Sequence, residues 1–371
     1  MRFLIAFLMF LLPTVATCQS PLQEHELKIQ SPKALTSFDG PRTSHQTVSN
    51  GAYLYILGGY RWETDHAVFY PSVQVTQIKA DGTLGPWQTT SEMSVARTGL
   101  ASVCVKSCIY AAGGSDDKWT TKGTVESARF QPDGKIGKWA TEKYPLRTPR
   151  SNFDLIVREL SDGRTLLYAV GGVGQVGLNT VHFDSVEYAE VMSDGSLSEW
   201  KSASFDMKGG RSTPAAFLWK DCLHICGGWG DRNFDDVFSD VQFAHLAKNG
   251  DLDAWQTSPF PLRMRLYGHT ASVVTKGANS FAISVAGSLG EGNVISSIQY
   301  ARLGDDGSVG PWIMSQTRIE QARWGHSSIA IGSRIYVTGG SASGSSFLCD
   351  VQLLEVDPVA LKTSAEGKSA K

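Results

Sequence analysis

The sequence predicts an all-β protein, a six-bladed β-propeller with four antiparallel strands in each blade. Two observations carry this prediction. A short apolar run ends in a pair of small residues six times along the 371-residue chain, and the pairs recur every 53 to 59 residues. An Asp-Gly or Asn-Gly turn followed by a Trp recurs with the same period. A repeat of about fifty residues built from short strands is typical of propeller blades. The pairs are Gly58-Gly59, Gly113-Gly114, Gly171-Gly172, Gly227-Gly228, Ala286-Gly287 and Gly339-Gly340.

Each repeat contains the signals of four strands, which we name A to D in chain order. Strand B is the apolar run that ends in the small pair, and the shorter strand A precedes it. Strand C alternates apolar and polar residues, as in Val73–Ile78 and Val186–Val191, which indicates a half-buried strand. The Asp-Gly or Asn-Gly turn tolerates positive φ and connects strand C to strand D. Strand D carries the repeated Trp: Trp87, Trp139, Trp200, Trp255 and Trp312.

An Arg precedes strand A in each repeat. These residues are Arg42, Arg97, Arg150, Arg211, Arg265 and Arg323. Two interpretations are open: the guanidinium groups bind a carboxylate or phosphate at the channel mouth, or each Arg holds its own blade through a carbonyl or an acid. Periodic occurrence favours the structural interpretation, because a structural role repeats with every blade. His45, His269 and His326, near the starts of strand A, are likewise interpreted as structural rather than catalytic.

The last repeat lacks its own strand D. After Gly340 the chain forms strand C, Val351–Val356, and reaches Asp357-Pro358 without a further Trp. Residues 26–30 precede Arg42 by a suitable distance. We therefore expect this N-terminal segment to pair into the last blade and close the ring, which removes an open strand edge.

These marks together resemble the kelch-repeat family over residues 26–358. The small pair, the Trp, the Arg and strands such as Ser185–Tyr188 and Ser297–Tyr300 carry the resemblance. Two departures occur: Ala286-Gly287 replaces Gly-Gly in the fifth repeat, and the turn before each Trp is longer than in many kelch repeats. The resemblance implies a kelch-like six-bladed propeller of the kind found in exported bacterial proteins.

The N-terminus has the composition of a secretory signal over residues 1–18. Arg2 precedes the apolar run Phe3–Leu12, and small residues follow before Cys18. The stretch Val15–Cys18 resembles a bacterial lipoprotein box, so lipidation of Cys18 is one alternative and ordinary cleavage the other. The expected organisation is a signal at 1–18, a propeller at 19–358 and a flexible tail at 359–371. The protein is therefore expected outside the cytoplasm, attached to a membrane only if Cys18 is lipidated.

The composition and the spacing of Cys, His and acidic residues limit the ligands, metals and disulfides that the sequence predicts. A net charge of −2 gives no general attraction to nucleic acid or to anionic membranes. Export permits a disulfide, which we predict between Cys104 and Cys108 across a hairpin. No zinc-ligand spacing is present, and no metal or cofactor is predicted. The acidic stretch 231–240 suits either calcium or a solvated loop, and its mismatch with an EF-hand favours the loop.

The candidate binding residues are four Trp outside the strand D pattern. Trp62, Trp119, Trp229 and Trp324 belong to D–A and B–C loops, which share one face of a propeller. Exposed aromatic rings beside polar groups suit sugar rings or protein side chains. The alternative is that these rings fold back over the blades. The resulting hypothesis is an exported, non-catalytic recognition module that binds a glycan or a protein through this face.

The rival hypothesis is a carbohydrate-active enzyme. Exported kelch-like propellers include sialic-acid mutarotases, so the resemblance implies an acid/base pair beside Arg at the channel mouth as the alternative. Copper radical oxidases also carry a kelch-like domain, but their Tyr, His and Cys copper site has no counterpart here. No nucleophile elbow, phosphate-binding loop or carboxylate pair is present in the sequence, so no catalytic residue is assigned.

Overall fold

The computed structural model describes residues 27–230 and 236–358, and the regular elements in these ranges are all β-strands. The predicted signal with Cys18, the segment 231–235 and the predicted tail lie outside the described residues. Within the described ranges the structure has no helix long and apolar enough to cross a membrane.

The strands are short and follow the predicted period. In chain order they are β1 (Leu27–Ile29), β2 (Lys33–Leu35), β3 (Gln46–Ser49), β4 (Tyr53–Leu57), β5 (Tyr60–Trp62), β6 (Ala67–Phe69), β7 (Val73–Gln77), β8 (Gln88–Thr89), β9 (Ala101–Val105), β10 (Cys108–Ala112), β11 (Val125–Arg129), β12 (Ala140–Thr141), β13 (Asp154–Glu159), β14 (Thr165–Val170), β15 (Val173–Val176), β16 (Asn179–His182), β17 (Val186–Val191), β18 (Lys201–Ser202), β19 (Ala215–Trp219), β20 (Cys222–Cys226), β21 (Val241–His245), β22 (Gln256–Thr257), β23 (Thr270–Lys276), β24 (Asn279–Ser288), β25 (Val294–Leu303), β26 (Val309–Arg318), β27 (Ser327–Ile331), β28 (Arg334–Ser343) and β29 (Ser346–Pro358).

Six antiparallel sheets form the blades of a β-propeller, as predicted. Their strand orders are β3-β4-β7-β8 in blade one, β9-β10-β11-β12 in blade two, β13-β14-β17-β18 in blade three, β19-β20-β21-β22 in blade four, β23-β24-β25-β26 in blade five and β27-β28-β29-β1 in blade six. Each inner strand contacts the inner strand of the next blade, and β27 contacts β3, so the ring is closed around a central channel. Two extra hairpins, β5-β6 and β15-β16, rise from the B–C loops of blades one and three.

The N-terminal strand closes the ring, which confirms the expectation. Leu27 lies opposite Pro358, and Ile29 lies opposite Val356 on β29. The next segment, β2, extends this edge and places Lys33 opposite Leu353. Leu27 and Ile29 are buried in the apolar core between blades five and six. The first and last described strands of the chain therefore belong to one sheet.

Deletion of residues 19–34 is expected to destroy cooperative unfolding. The change removes β1 and most of β2, so it exposes the edge of β29 and part of the core between blades five and six. Thermal unfolding followed by circular dichroism should show a broad transition at a much lower temperature. Deletion of residues 359–371 is the control, because it leaves every described strand in place. An unchanged melting transition in the first variant would refute the closure.

The core lies in the seams between blades. Trp139, Trp200, Trp255 and Trp312 are buried, and each packs between its own blade and the preceding one. Trp87 packs against the seam between blades six and one but stays partly exposed. The repeated Trp are thus part of the scaffold, as the sequence indicated.

The predicted disulfide between Cys104 and Cys108 is wrong for this structure, in which both thiols are free. Cys104 lies opposite Ile109, while Cys108 lies opposite Val105. Successive residues of a strand face opposite sides of the sheet. Cys104 consequently packs against the seam with blade one and Cys108 packs into the seam with blade three.

Candidate functional site

Six backbone N–H groups form a closed circle of hydrogen bonds around the channel on the D–A/B–C face. Each N–H donates to the carbonyl oxygen of its counterpart in the preceding blade, over 2.7 to 3.0 Å. All six residues are in the left-handed region, with φ between 47° and 60°. The members of this backbone circle are Ser44, Gly99, Asn152, Thr213, Gly268 and Gly325. Neighbouring strands lie about 5 Å apart, so the circle spans only about 10 Å between opposite Cα atoms.

Five of the six predicted Arg residues are buried, and each lies two residues before a member of the backbone circle in the sequence. In each, the guanidinium donates to the carbonyl oxygen of the first Gly of its own blade, over 2.7 to 3.1 Å. Four of them also form ion pairs with strand C or the residues just before it: Arg97–Glu126, Arg150–Glu187, Arg211–Asp240 and Arg323–Asp350. Their side chains are at most 1% exposed, as is that of Arg42. These contacts fit the structural interpretation and leave the five without surface for a ligand.

Blade five departs from this pattern, and the prediction of Arg265 as its equivalent is wrong by one residue. Leu266 is buried, and its carbonyl oxygen accepts from the N–H of Gly228 at 2.7 Å. The carbonyl oxygen of Arg150 accepts in the same way from Gly114 at 2.9 Å. Leu266 therefore occupies the position of the buried Arg, and Arg265 is exposed. The same blade has Ala286 in place of the first Gly.

The three predicted structural histidines are buried in seams between blades. Nε2 of His45 lies 3.0 Å from the Thr338 hydroxyl, and Nε2 of His326 lies 3.2 Å from the Thr270 hydroxyl. Burial lowers the pKa of His45 and of His269 to about 3, so both are neutral at pH 7. Burial and nearby Arg323 also hold the pKa of His326 well below its usual value. His45 lies near Arg42 and Arg323, the combination that the enzyme hypothesis needs, but its side chain is buried and its Nε2 is paired with the Thr338 hydroxyl.

The first aromatic cluster lies over blades one and two and contains the two most exposed Trp. Trp62 is 46% exposed and Trp119 is 49% exposed. Their rings are nearly parallel, at 23°, with centroids 6.3 Å apart. Trp119 also lies almost perpendicular to Tyr60 and Phe69, at 5.2 and 4.9 Å. Phe347 of blade six contacts Tyr60. The cluster presents two large indole faces to solvent on a base of packed rings.

A compact turn holds Trp119 in an unfavourable backbone conformation. Its φ is 59°, which costs a non-Gly residue about 1–2 kcal/mol. The Asp116 carboxylate accepts hydrogen bonds from the N–H groups of Lys118 and Thr120, at 3.1 and 2.9 Å. Asp116 also forms an ion pair with Lys122 at 2.6 Å. These contacts fix the exposed indole in place before any ligand arrives.

The second aromatic cluster runs over blades three to six. His182, Trp229, Tyr267 and Trp324 follow one another with ring centroids 5.2, 6.2 and 5.9 Å apart. Trp229 and Trp324 are partly exposed. The four predicted Trp therefore lie on the predicted face and keep exposed surface, and they belong to two separate clusters.

Tyr60 and Tyr267 are further candidate residues, and they occupy a repeated pairing position that the sequence analysis above does not include. The residue after each buried Arg position pairs with the residue after each small pair. One partner is aromatic in blades one, four, five and six: Thr43–Tyr60, Ser212–Trp229, Tyr267–Ser288 and Trp324–Ser341. Both partners are small or aliphatic in blades two and three: Thr98–Ser115 and Ser151–Val173. Their fixed offsets from the repeat marks would have identified these positions.

Beneath the backbone circle, the inner strands enclose a central cavity of about 430 Å³. Asp154 supplies the one carboxylate among the described residues that line it. Burial raises the pKa of Asp154 to about 6, and a hydrogen bond from the Ala216 N–H opposes this rise. Nothing in the repeat marks distinguishes Asp154, so the sequence pattern gives no sign of it.

Comparison with models of protein families and with curated proteins gives no match for this chain. Among the described residues, no three His, Cys, Asp or Glu side chains are grouped as they would be to hold a metal ion.

Proposed function

We propose that this protein is a non-catalytic recognition module that binds a glycan through the two aromatic clusters. The observation that supports this proposal is the pair of half-exposed, nearly parallel indoles of Trp62 and Trp119, held by a rigid turn. The C–H faces of sugar rings pack on such aromatic faces, and preorganisation lowers the cost of binding. The composition of residues 1–18 supports the further proposal that the protein acts outside the cytoplasm.

The polar groups beside the indoles suit a hydroxyl-rich ligand. Arg61 and Glu63 form an ion pair next to Trp62, with 2.5 Å between Nη2 and Oε1. The Asp116–Lys122 pair lies in the turn that carries Trp119. Both signs of charge are present, so the surface offers hydrogen-bond donors and acceptors without strong selection for an anion or a cation. An uncharged oligosaccharide fits this surface best.

Replacement of Trp62 or Trp119 by Ala is expected to weaken glycan binding by more than 1 kcal/mol, about fivefold or more, because exposed aromatic anchors dominate such interfaces. The ligand would first be identified on a glycan array, and affinities then measured by isothermal titration calorimetry. The melting temperature should change little, since neither indole is part of the core. Ile313→Ala is the matched control, because it removes an exposed apolar side chain from the strand D edge of blade five.

A protein ligand is the second candidate, and one observation favours it. Val176 and Leu178, at the tip of the hairpin β15-β16, are 53% and 101% exposed. A partner that uses this tip would lose affinity with Val176→Ser and Leu178→Ser but not with the Trp variants. Glycan binding that survives both Trp substitutions would refute the proposal.

A further inference from the structure

The central cavity is narrow at one end and wider at the other. The backbone circle narrows it on the D–A/B–C face. Exposure increases towards the ends of the inner strands away from the circle: Ser327 is buried, Ser328–Ile331 are partly exposed, and Thr275 and Lys276 at the end of β23 are exposed. The cavity therefore opens on the face of the A–B turns. It is a separate site from the aromatic clusters, which lie on the opposite face.

Charge in the cavity wall is confined to one place. Among the described residues that line it, Asp154 is the single acidic one and none is Lys or Arg. Asp154 lies two residues after Asn152 of the backbone circle, so its carboxylate is near the narrow end. Polar residues of the wall near this level include Gln46, Thr270, Ser327 and Ser328. The outer part of the wall is more apolar, with Val103, Val157 and Ile329.

The structural role of Asp154 does not require a charge. Its Oδ2 accepts a hydrogen bond from the N–H of Ala216 on the next inner strand at 2.6 Å. In blade six, the equivalent residue Ser327 accepts the equivalent bond from the N–H of Thr47 at 2.9 Å. A hydroxyl is thus sufficient to join two inner strands in this way. The carboxylate adds a negative charge to the channel wall, and its partly exposed side chain has an Oδ1 with no hydrogen-bond partner among the described residues.

We propose that the central cavity binds a small organic cation, a protonated primary amine that also carries hydroxyl groups. The ammonium group donates a hydrogen bond to Oδ1 of Asp154 and compensates its charge, and the surrounding hydroxyls accept or donate the remaining bonds. A volume of about 430 Å³ admits a ligand of small-molecule size. A lone carboxylate with hydroxyl neighbours suits an ammonium group better than a metal ion, since no group of three metal ligands occurs among the described residues.

Binding of such a cation depends on pH in a defined direction. A nearby ammonium group favours the ionised form of Asp154, so affinity rises as pH increases from 5 to 7 through its pKa of about 6. The other titratable groups of the wall are His45, His269, His326 and Cys104, and Cys226 lies beside Asp154. Burial lowers the pKa of these histidines and raises the pKa of these thiols, so they stay neutral across this range.

The test uses the full chain and a matched pair of probes, 3-amino-1,2-propanediol and glycerol, which differ mainly in one ammonium group. Calorimetry at pH 7 should show binding of the amine and at least tenfold weaker binding of glycerol. Asp154→Asn and Asp154→Ser should each reduce amine binding at least tenfold. Asp154→Ser copies the Ser327 arrangement, which keeps the strand connection. Asp305→Asn, which removes a fully exposed acid, is the control for net charge.

Three outcomes would overturn the proposal. They are equal binding of the two probes, amine binding that survives both Asp154 substitutions, and no amine binding at 50 mM or below. The aromatic variants Trp62→Ala and Trp119→Ala should leave amine binding unchanged, so this result is independent of the proposed glycan site.

Discussion

Glu187→Gln is expected to lower the free energy of unfolding by about 3–5 kcal/mol, because it leaves the buried charge of Arg150 without its carboxylate. Both side chains are at most 1% exposed, and Nη2 and Oε1 lie 2.7 Å apart. The same carboxylate accepts hydrogen bonds from the N–H groups of Arg147 and Thr148. A Gln oxygen can still accept a bond from this loop, so the loss reports mainly on the charge.

Blade five supplies the control for this experiment. It has Leu266 at the Arg position and Gln299 at the Glu187 position, where Gln299 accepts from the N–H of Arg263 at 2.8 Å. The double variant Arg150→Leu with Glu187→Gln copies this arrangement in blade three. Urea unfolding of the wild type, both single variants and the double variant should give a coupling free energy of about 2–3 kcal/mol. Additive losses in this cycle would contradict a buried, mutually dependent pair.

The second large effect is a loss of stability in acid that comes from buried histidines. Burial lowers the pKa of His45 and His269 to about 3 and that of His224 to about 4 in the folded state, and that of His326 well below 6.5. Below pH 6.5 the unfolded chain therefore binds protons at these histidines that the folded protein does not bind. Stability falls as pH decreases from about 6.5 towards 4, by up to about 1.4 kcal/mol per pH unit for each His.

Asp154 acts in the opposite direction. Its pKa in the folded state is raised to about 6, so its protonation between pH 6 and 4 stabilises the folded state. This gain cancels the loss of stability from about one of the buried histidines. Urea unfolding at pH 7, 6 and 5 should show the net loss. His45→Leu copies Leu100 at the equivalent position of blade two. It should reduce the slope of the free energy of unfolding against pH by the equivalent of about one proton. An identical slope in this variant would show that His45 titrates normally in the folded protein.

Much of the scaffold was predictable, because its signals are local. Small pairs such as Gly58-Gly59 mark strand ends, Asp-Gly turns mark hairpins, and alternation marks strand C. Counting five Trp for six strands B was enough to predict that β1 completes blade six. The signal for Trp62 and Trp119 was their departure from the repeat, and the structure places both at the surface.

Other features depend on which atoms meet across blades, and these were beyond the repeat pattern. Arg265 and Leu266 are adjacent in sequence, and only the hydrogen bond from Gly228 to the Leu266 carbonyl shows which of them occupies the repeat position. Cys104 and Cys108 are close along the chain, but their side chains face opposite seams. The charge of Asp154 stands out only when its strand is compared in space with that of Ser327.

The sequence by itself determined the number of blades, their strands and the closure of the ring, because hydrophobic alternation and turn chemistry act over a few residues. The tertiary structure decided which polar groups are buried and which face a ligand. Burial depends on the neighbouring blade, which lies some fifty residues away in sequence. The backbone circle shows this most clearly: Ser44, Gly99 and Asn152 share no side-chain type, yet each adopts a left-handed conformation because the ring of hydrogen bonds requires it.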